Sequence, residues 1–335
     1  MKKLFFSIIV VCFVIAALFV VNFYSYCITP YSCKPVDIII NIPEGTSFKK
    51  VSAILSEKSI IRKSIRFTLL AKLKNAEHQI KTGEYCMALP LTPLEVLDKL
   101  TRGDVVTYSV TIPEGKTIFD IAKIMEASGL GSTAGTLEKM RDPEFIKSTG
   151  IEEESLEGFL FPDTYHFSRD TVPEMILRRM VVKYKNVVNK EIVKQAEKTG
   201  LSIEDVIILA SLVEKETARN FEKPLIAAVF LNRLKKGMRL ECDPTVIYGV
   251  KLEDPNFSKR LRTKHLRKET PYNTYQIFGL PKGPICNPGL GSIKAVLNPE
   301  KTDYLYFVSK NNGTHQFSKT LREHNKAVNK YQKKK

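Results

Sequence analysis

Eighteen consecutive residues without a charge, Leu4 to Val21, limit what the start of this chain can fold into. The run approaches the length that spans a bilayer, and inside hydrocarbon only a helix satisfies the backbone of a single segment. It is longer than the apolar part of a typical signal peptide, and no small-residue cleavage site follows it. Val11 stands before Cys12 where a lipoprotein signal needs a small residue. Lys2 and Lys3 hold the short tail on the cytoplasmic side. The expectation is a single-pass cytoplasmic (inner) membrane protein. Residues 1–24 form tail and span, 25–35 a linker, and the remainder faces outward.

That remainder is long enough for two domains. The formal net charge is +16. Basic residues concentrate in Lys251–Thr270, with seven Lys/Arg against three acids, and in the last fifteen residues, with six. Such a surface suits lipid headgroups, an acidic wall polymer or nucleic acid. An outward-facing chain argues against nucleic acid. The six cysteines are Cys12, Cys27, Cys33, Cys86, Cys242 and Cys286. No two have metal-ligand spacing, and no Gly-rich phosphate loop occurs, so neither metal nor other cofactor is expected. A Cys27–Cys33 disulfide stays open.

One pattern occurs twice, seventy residues apart. Val36–Ser47 and Tyr108–Thr117 each read as strand, Pro-Glu-Gly turn and Ser or Thr helix entry. Helices are expected over Phe48–Glu57 and Ile118–Ala127. Between them, Lys81–Tyr85 adds a strand and Thr92–Leu100 a helix with Pro at its first position. These units resemble LysM-like glycan-binding modules, and they bound an expected module over 36–130. A purely structural domain weighs about equally.

From Thr171, with Glu174 as its capping-box partner, one helix is expected to about Lys198, ended by Gly200. The next begins at Ser202, with Asp205 at capping-box spacing. Seven of the eight residues from Val206 to Val213 are apolar, so this helix is expected to be buried. Glu214 then emerges at its end. The helix neighbours of Glu214 are Ala210, Ser211, Thr217 and Ala218, all small and none basic. Glu216 differs, because Arg219 can pair with it. A carboxylate without a local partner tends to hold its proton, which suits a general acid. From this window alone, an ordinary or distantly paired Glu is the better-supported reading, because structural ion pairs also perturb carboxylates. Pro224–Lys235 reads as a further helix stopped by Gly237. Asp243–Gly249, Thr270–Tyr275 and Gly279–Gly289 read as loops. Tyr304–Phe317 reads as a hairpin turning at Asn312-Gly313.

Several motifs together resemble the YceG-like family of endolytic murein transglycosylases (MltG). They are Glu157-Gly-Phe-Leu-Phe-Pro-Asp-Thr-Tyr165, Ala210-Ser-Leu-Val-Glu-Lys-Glu-Thr217, Asp243-Pro-Thr-Val-Ile-Tyr-Gly249 and Pro271-Tyr-Asn-Thr-Tyr275. The Gly-Leu-Pro and Asn-Pro-Gly pair and Tyr304-Leu-Tyr-Phe-Val308 add to them. The resemblance implies an α+β fold: one N-terminal transmembrane helix, a small LysM-like βα module, and a larger mixed catalytic domain over 131–335. It implies an enzyme that cuts the β-1,4 MurNAc–GlcNAc bond inside peptidoglycan strands, leaving 1,6-anhydro ends. Partners would be glycan strands and, through the family's role at nascent strands, peptidoglycan synthases or division and elongation proteins. The family's catalytic Glu falls on Glu214.

One carboxylate suffices for such chemistry. Glycoside hydrolases usually need two. Here Glu214 would protonate the glycosidic oxygen, then accept the proton of the muramyl 6-hydroxyl as that oxygen attacks C1. The nucleophile belongs to the substrate, so effective concentration replaces an activated water. Tyr248, Tyr272 and Asn273 are candidates to stack on or bond the sugars, and Glu157 and Asp243 to orient the site. Two rivals remain. A muramidase-type hydrolase would use Glu214 with Asp243, Asp163 or Glu157. A non-catalytic wall-binding scaffold would need none of them.

Overall fold

The computed structural model of the chain describes residues 2–168, 171–255, 257 and 260–332. Its first helix, α1 (Lys2–Ile28), is long and apolar enough over Phe5–Ile28 to cross a membrane, with mean hydropathy 2.8. The helix runs past the expected end of the span because its last turns have apolar partners. Tyr26 and Cys27 are buried in a core with Val51, Leu55, Phe67 and Leu97. The Tyr26 hydroxyl donates to the Lys63 carbonyl at 3.2 Å.

Packing divides the chain into two compact units. One runs to Tyr108 and is rejoined at His166; the other holds Ser109–Tyr165 and the chain from Thr171 onward. The first contains β1 (Val36–Ile42), α2 (Phe48–Glu57), α3 (Ser64–Leu73), β2 (Gly83–Leu89) and α4 (Pro93–Arg102). The strands are antiparallel, from Val36 opposite Leu89 to Ile42 opposite Gly83. Ile40 and Ile42 alternate inward, as a half-buried strand requires. Thr92 and Glu95 form a reciprocal capping box on α4, behind Pro93.

The second Pro-Glu-Gly copy follows β3 (Tyr108–Thr111) and leads into α5 (Ile118–Ala127). This copy belongs to the second compact unit, which starts at Ser109. Its α5 buries Ile118, Phe119, Ile121, Ala122 and Met125. Its turn is laced to a distant loop: Gly115 N donates to Asn287 O, and Asn287 N to Lys116 O, both at 2.9 Å.

The chain continues with α6 (Thr133–Lys139) and α7 (Pro143–Ser148), then β4 (Thr164–Phe167), which pairs with β3 and whose last two residues count with the first unit. Next come α8 (Pro173–Val187) and α9 (Lys190–Thr199), where the sequence suggested one helix. Asn189 breaks it by accepting from the Glu191 and Ile192 amides, an N-cap that starts a new helix. The cap residue of α8 is Val172 and not Thr171. Then follow α10 (Ile203–Glu216), α11 (Lys223–Lys235), α12 (Asp243–Glu253), α13 (Thr263–Leu266) and α14 (Leu290–Leu297). The expected loop at Asp243–Gly249 is helical, because Pro244 opens a helix as readily as it bounds a loop. The hairpin forms as β5 (Tyr306–Ser309) and β6 (His315–Ser318), and α15 (Leu321–Tyr331) follows. The core of the second unit is α10, on which α9, α11, α12 and α14 pack.

Candidate active site

The Ser202–Asp205 capping box starts α10, and every residue from Val206 to Val213 is buried. The helix is therefore clamped along its length, and Glu214 is presented at a fixed place. Its side chain is 7% exposed. Lys223 Nζ donates to its two oxygens at 3.1 and 3.2 Å. The Gly289 amide donates to Oε2 at 3.1 Å, and Ser292 Oγ donates to the same oxygen at 2.6 Å. Glu214 is thus not the unpartnered carboxylate suggested by its own helix. Its partners come from the first residue of α11 and from the N-terminal end of α14, where exposed amides favour an anion.

Lys223 is 2% exposed and also lies 3.7 Å from Glu114 Oε2, whose side chain is 51% exposed. Glu114 is the centre of the second Pro-Glu-Gly turn. Two carboxylates therefore share one buried ammonium. A Cβ at position 289 would fall 1.8 Å from Glu114 Oε1, so a side chain there would displace the Glu114 carboxylate. Gly115 (φ +74°) lies against the stem of Glu214, 3.4 Å from its Cγ by the same measure.

Glu216 does not pair with Arg219 as expected. It accepts from Cys242 Sγ at 3.0 Å, and burial raises it above the usual carboxylate range. Beyond the end of α10, Glu222 accepts from the His315 amide at 2.8 Å and lies 2.9 Å from its ring Nδ1. Burial opposes the Glu222 charge, but these bonds and Thr217 outweigh it and hold its carboxyl low.

A second network reaches the Gly289 segment from behind. Glu157 is 2% exposed. Its Oε2 accepts from the Ile118 amide at 3.0 Å and its Oε1 from Asn287 Nδ2 at 2.9 Å. Burial is the largest influence and pushes it up to about 8, against hydrogen bonds from Ile118 and Tyr248. Asn287 Oδ1 in turn accepts from the Leu160 amide at 2.8 Å. Glu157 therefore ties the start of α5 to the loop that presents Gly289 to Glu214.

The other sequence candidates are dispersed. Asn273 is buried, and its Nδ2 faces the carbonyls of His265, Leu266 and Lys268. Asp243 is exposed at the start of α12 and accepts from the Tyr275 hydroxyl at 2.7 Å. Asp163 pairs with Lys183 at 2.8 Å. Tyr248 and Tyr272 pack with ring centroids 5.0 Å apart on the wall of a 460 Å³ cavity. Sequence reasoning missed Lys223, Ser292 and the role of Glu114. The Asn-Pro-Gly and Pro-Glu-Gly motifs were visible, but nothing local says that they meet.

Residues 40–330 match the model of the YceG-like family. The chain belongs to that family. An endolytic murein transglycosylase of Bacillus subtilis is 35% identical over 308 residues, 87% of this chain and 84% of its own length. One from Streptococcus pneumoniae is 28% identical, and the match spans 86% of this chain but only 58% of that protein. A 2.6 Å crystal structure of a YceG-like protein from Listeria monocytogenes is 35% identical, with TM-score 0.61. That match covers 87% of this chain and 98% of that one. The Glu214 site thus sits within the part of the chain that the YceG-like family shares.

Proposed function

We propose that this chain is a lytic transglycosylase that cleaves inside peptidoglycan strands at the β-1,4 MurNAc–GlcNAc bond. The observation that carries the reading is Glu214: one buried carboxylate, held by three donors, in a chain whose similar curated proteins are named endolytic murein transglycosylase. In its protonated form Glu214 donates to the leaving glycosidic oxygen. As a carboxylate it then takes the proton of the muramyl 6-hydroxyl, whose oxygen attacks C1 and closes the 1,6-anhydro ring. Lys223 has a second acceptor in Glu114, so a small movement of its ammonium exchanges one carboxylate for the other. That exchange frees Glu214 to take up a proton before the first step. Gly289 N and Ser292 Oγ hold the carboxylate aimed throughout.

The apolar helix that starts at Phe5 anchors the enzyme in the cytoplasmic membrane, with Lys2 and Lys3 inside and the chain that follows the helix outside. Such tethering favours nascent strands, which emerge beside the membrane. The β1–α2–α3–β2 order with two antiparallel strands supports the LysM-like reading of the first unit as a glycan-binding module.

The deciding experiment is mass spectrometry of products from uncrosslinked glycan strands. Full-length protein in detergent is compared with its Glu214→Gln variant. Internal fragments with anhydro ends from the wild type alone are expected. Reducing muramic ends would replace this reading with a hydrolase, and binding without cleavage would replace it with a scaffold.

A further inference from the structure

The geometry points to the 460 Å³ cavity beside α5 and α12 as a subsite for the zwitterionic peptide arm carried by the muramyl residues of the glycan. This rests on the peptidoglycan reading above. The cavity is walled by the rings of Tyr248 and Tyr272 and by Leu252. Three of its charges are neutralised within the protein: Lys282 and Glu154 by each other at 2.6 Å, and Glu253 by Lys268, which lies outside the cavity wall. Two wall charges of opposite sign are left over. Arg141 lies over the Phe119 ring at 5.0 Å, and Glu269 stands on the same wall; among the described residues neither has an oppositely charged partner. A guanidinium fork without a carboxylate and a carboxylate without a cation, both lining one cavity with tyrosine rings, fit a ligand carrying both a carboxylate and an amine. The stem peptide of peptidoglycan carries both.

Position supports the assignment. Ile118 lines the cavity, and Gly115 lies against the stem of Glu214. Three residues of chain separate them, at most about 11 Å when extended. A glycan strand held at Glu214 can therefore lay a peptide arm into the cavity.

The test compares wild type, Arg141→Met and Glu269→Gln as full-length protein in detergent. Both side chains lie at the surface, and unchanged melting temperatures verify the fold. The first readout is the ratio of kcat/KM on peptide-bearing strands to that on amidase-stripped strands. It is expected to fall about tenfold in each variant, the loss of one charge-assisted bond. A ratio unchanged in both variants overturns the subsite, whatever happens to overall activity. The second readout is calorimetric titration with the free peptide L-alanyl-γ-D-glutamyl-L-lysyl-D-alanine at millimolar concentration. Should the wild type cleave neither strand, the transglycosylase reading fails and the titration decides: binding weakened in both variants keeps the subsite, and absent or unaltered binding removes it.

Discussion

The ammonium of Lys223 lies 3.1 Å from Glu214 Oε1, and both side chains are almost wholly withdrawn from water. They come from the end of one helix and the start of the next, nine residues apart, and the intervening turn folds them together. A buried pair of this kind is costly to break from one side, because the remaining charge is stranded.

Lys223→Met is therefore expected to destabilise the second unit by about 3 to 5 kcal/mol. The double variant Lys223→Met/Glu214→Gln should regain most of that loss. Thermal unfolding of the four members of the cycle measures the coupling. Additive losses would show that the two groups do not depend on one another.

Ser292→Ala removes the 2.6 Å bond to Glu214 Oε2 and leaves Lys223 and Gly289 in place. Bonds to charged groups contribute about 1.5 to 3 kcal/mol. A fall in kcat of about tenfold to a hundredfold is expected, with KM little changed. Steady-state kinetics on uncrosslinked strands would decide, and an unaltered kcat would remove Ser292 from the positioning of Glu214.

Glu157 makes stability depend on pH in a definite direction. Its carboxyl rises from the usual 4.5 to about 8 on folding. The folded protein thus binds a proton more tightly than the unfolded chain. That contribution is fully present below pH 4.5 and is lost as pH rises through 8. The slope between those limits is at most about 1.4 kcal/mol per pH unit. Melting temperature followed from pH 5 to 9 should fall less steeply in Glu157→Gln than in wild type. Parallel curves would show that Glu157 does not titrate in this window.

Gly158 follows Glu157 with φ +89°, and a Cβ there would lie 2.5 Å from Pro284 Cγ and 3.1 Å from Ile207 Cγ2. Gly158→Ala combines backbone strain with overlap against a rigid ring. A loss of about 3 kcal/mol or more is expected, seen as a lower melting temperature. By contrast, Gly289→Ala meets only the movable end of Glu114, and its backbone is ordinary. It should keep stability within about 1 kcal/mol while displacing Glu114 from Lys223. Equal destabilisation by both would contradict these local geometries.

What the sequence determined by itself is local or periodic. An unbroken apolar run specifies α1, and Ser202 with Asp205 specifies where α10 begins. The apolar perimeter of α10 makes it a buried helix whose buried run stops at Val213, just before Glu214. Those signals survive because helix caps and hydrophobic periodicity act within a few residues. The break at Asn189 was also local, but an N-cap inside a long helical pattern is easily read through. Tertiary structure decided the environment of Glu214. Lys223, Gly289, Ser292 and Glu114 reach it from three separate segments, and Gly289 is seventy-five residues away. It likewise turned Glu157 and Asn273 inward, where their polar atoms are used by the protein itself. Hydrogen bonds and ion pairs between distant segments leave no periodic trace in a single chain, because each needs only one residue of suitable type at one place. The sequence could therefore place Glu214 after the buried run of a helix, while only packing could say what holds it.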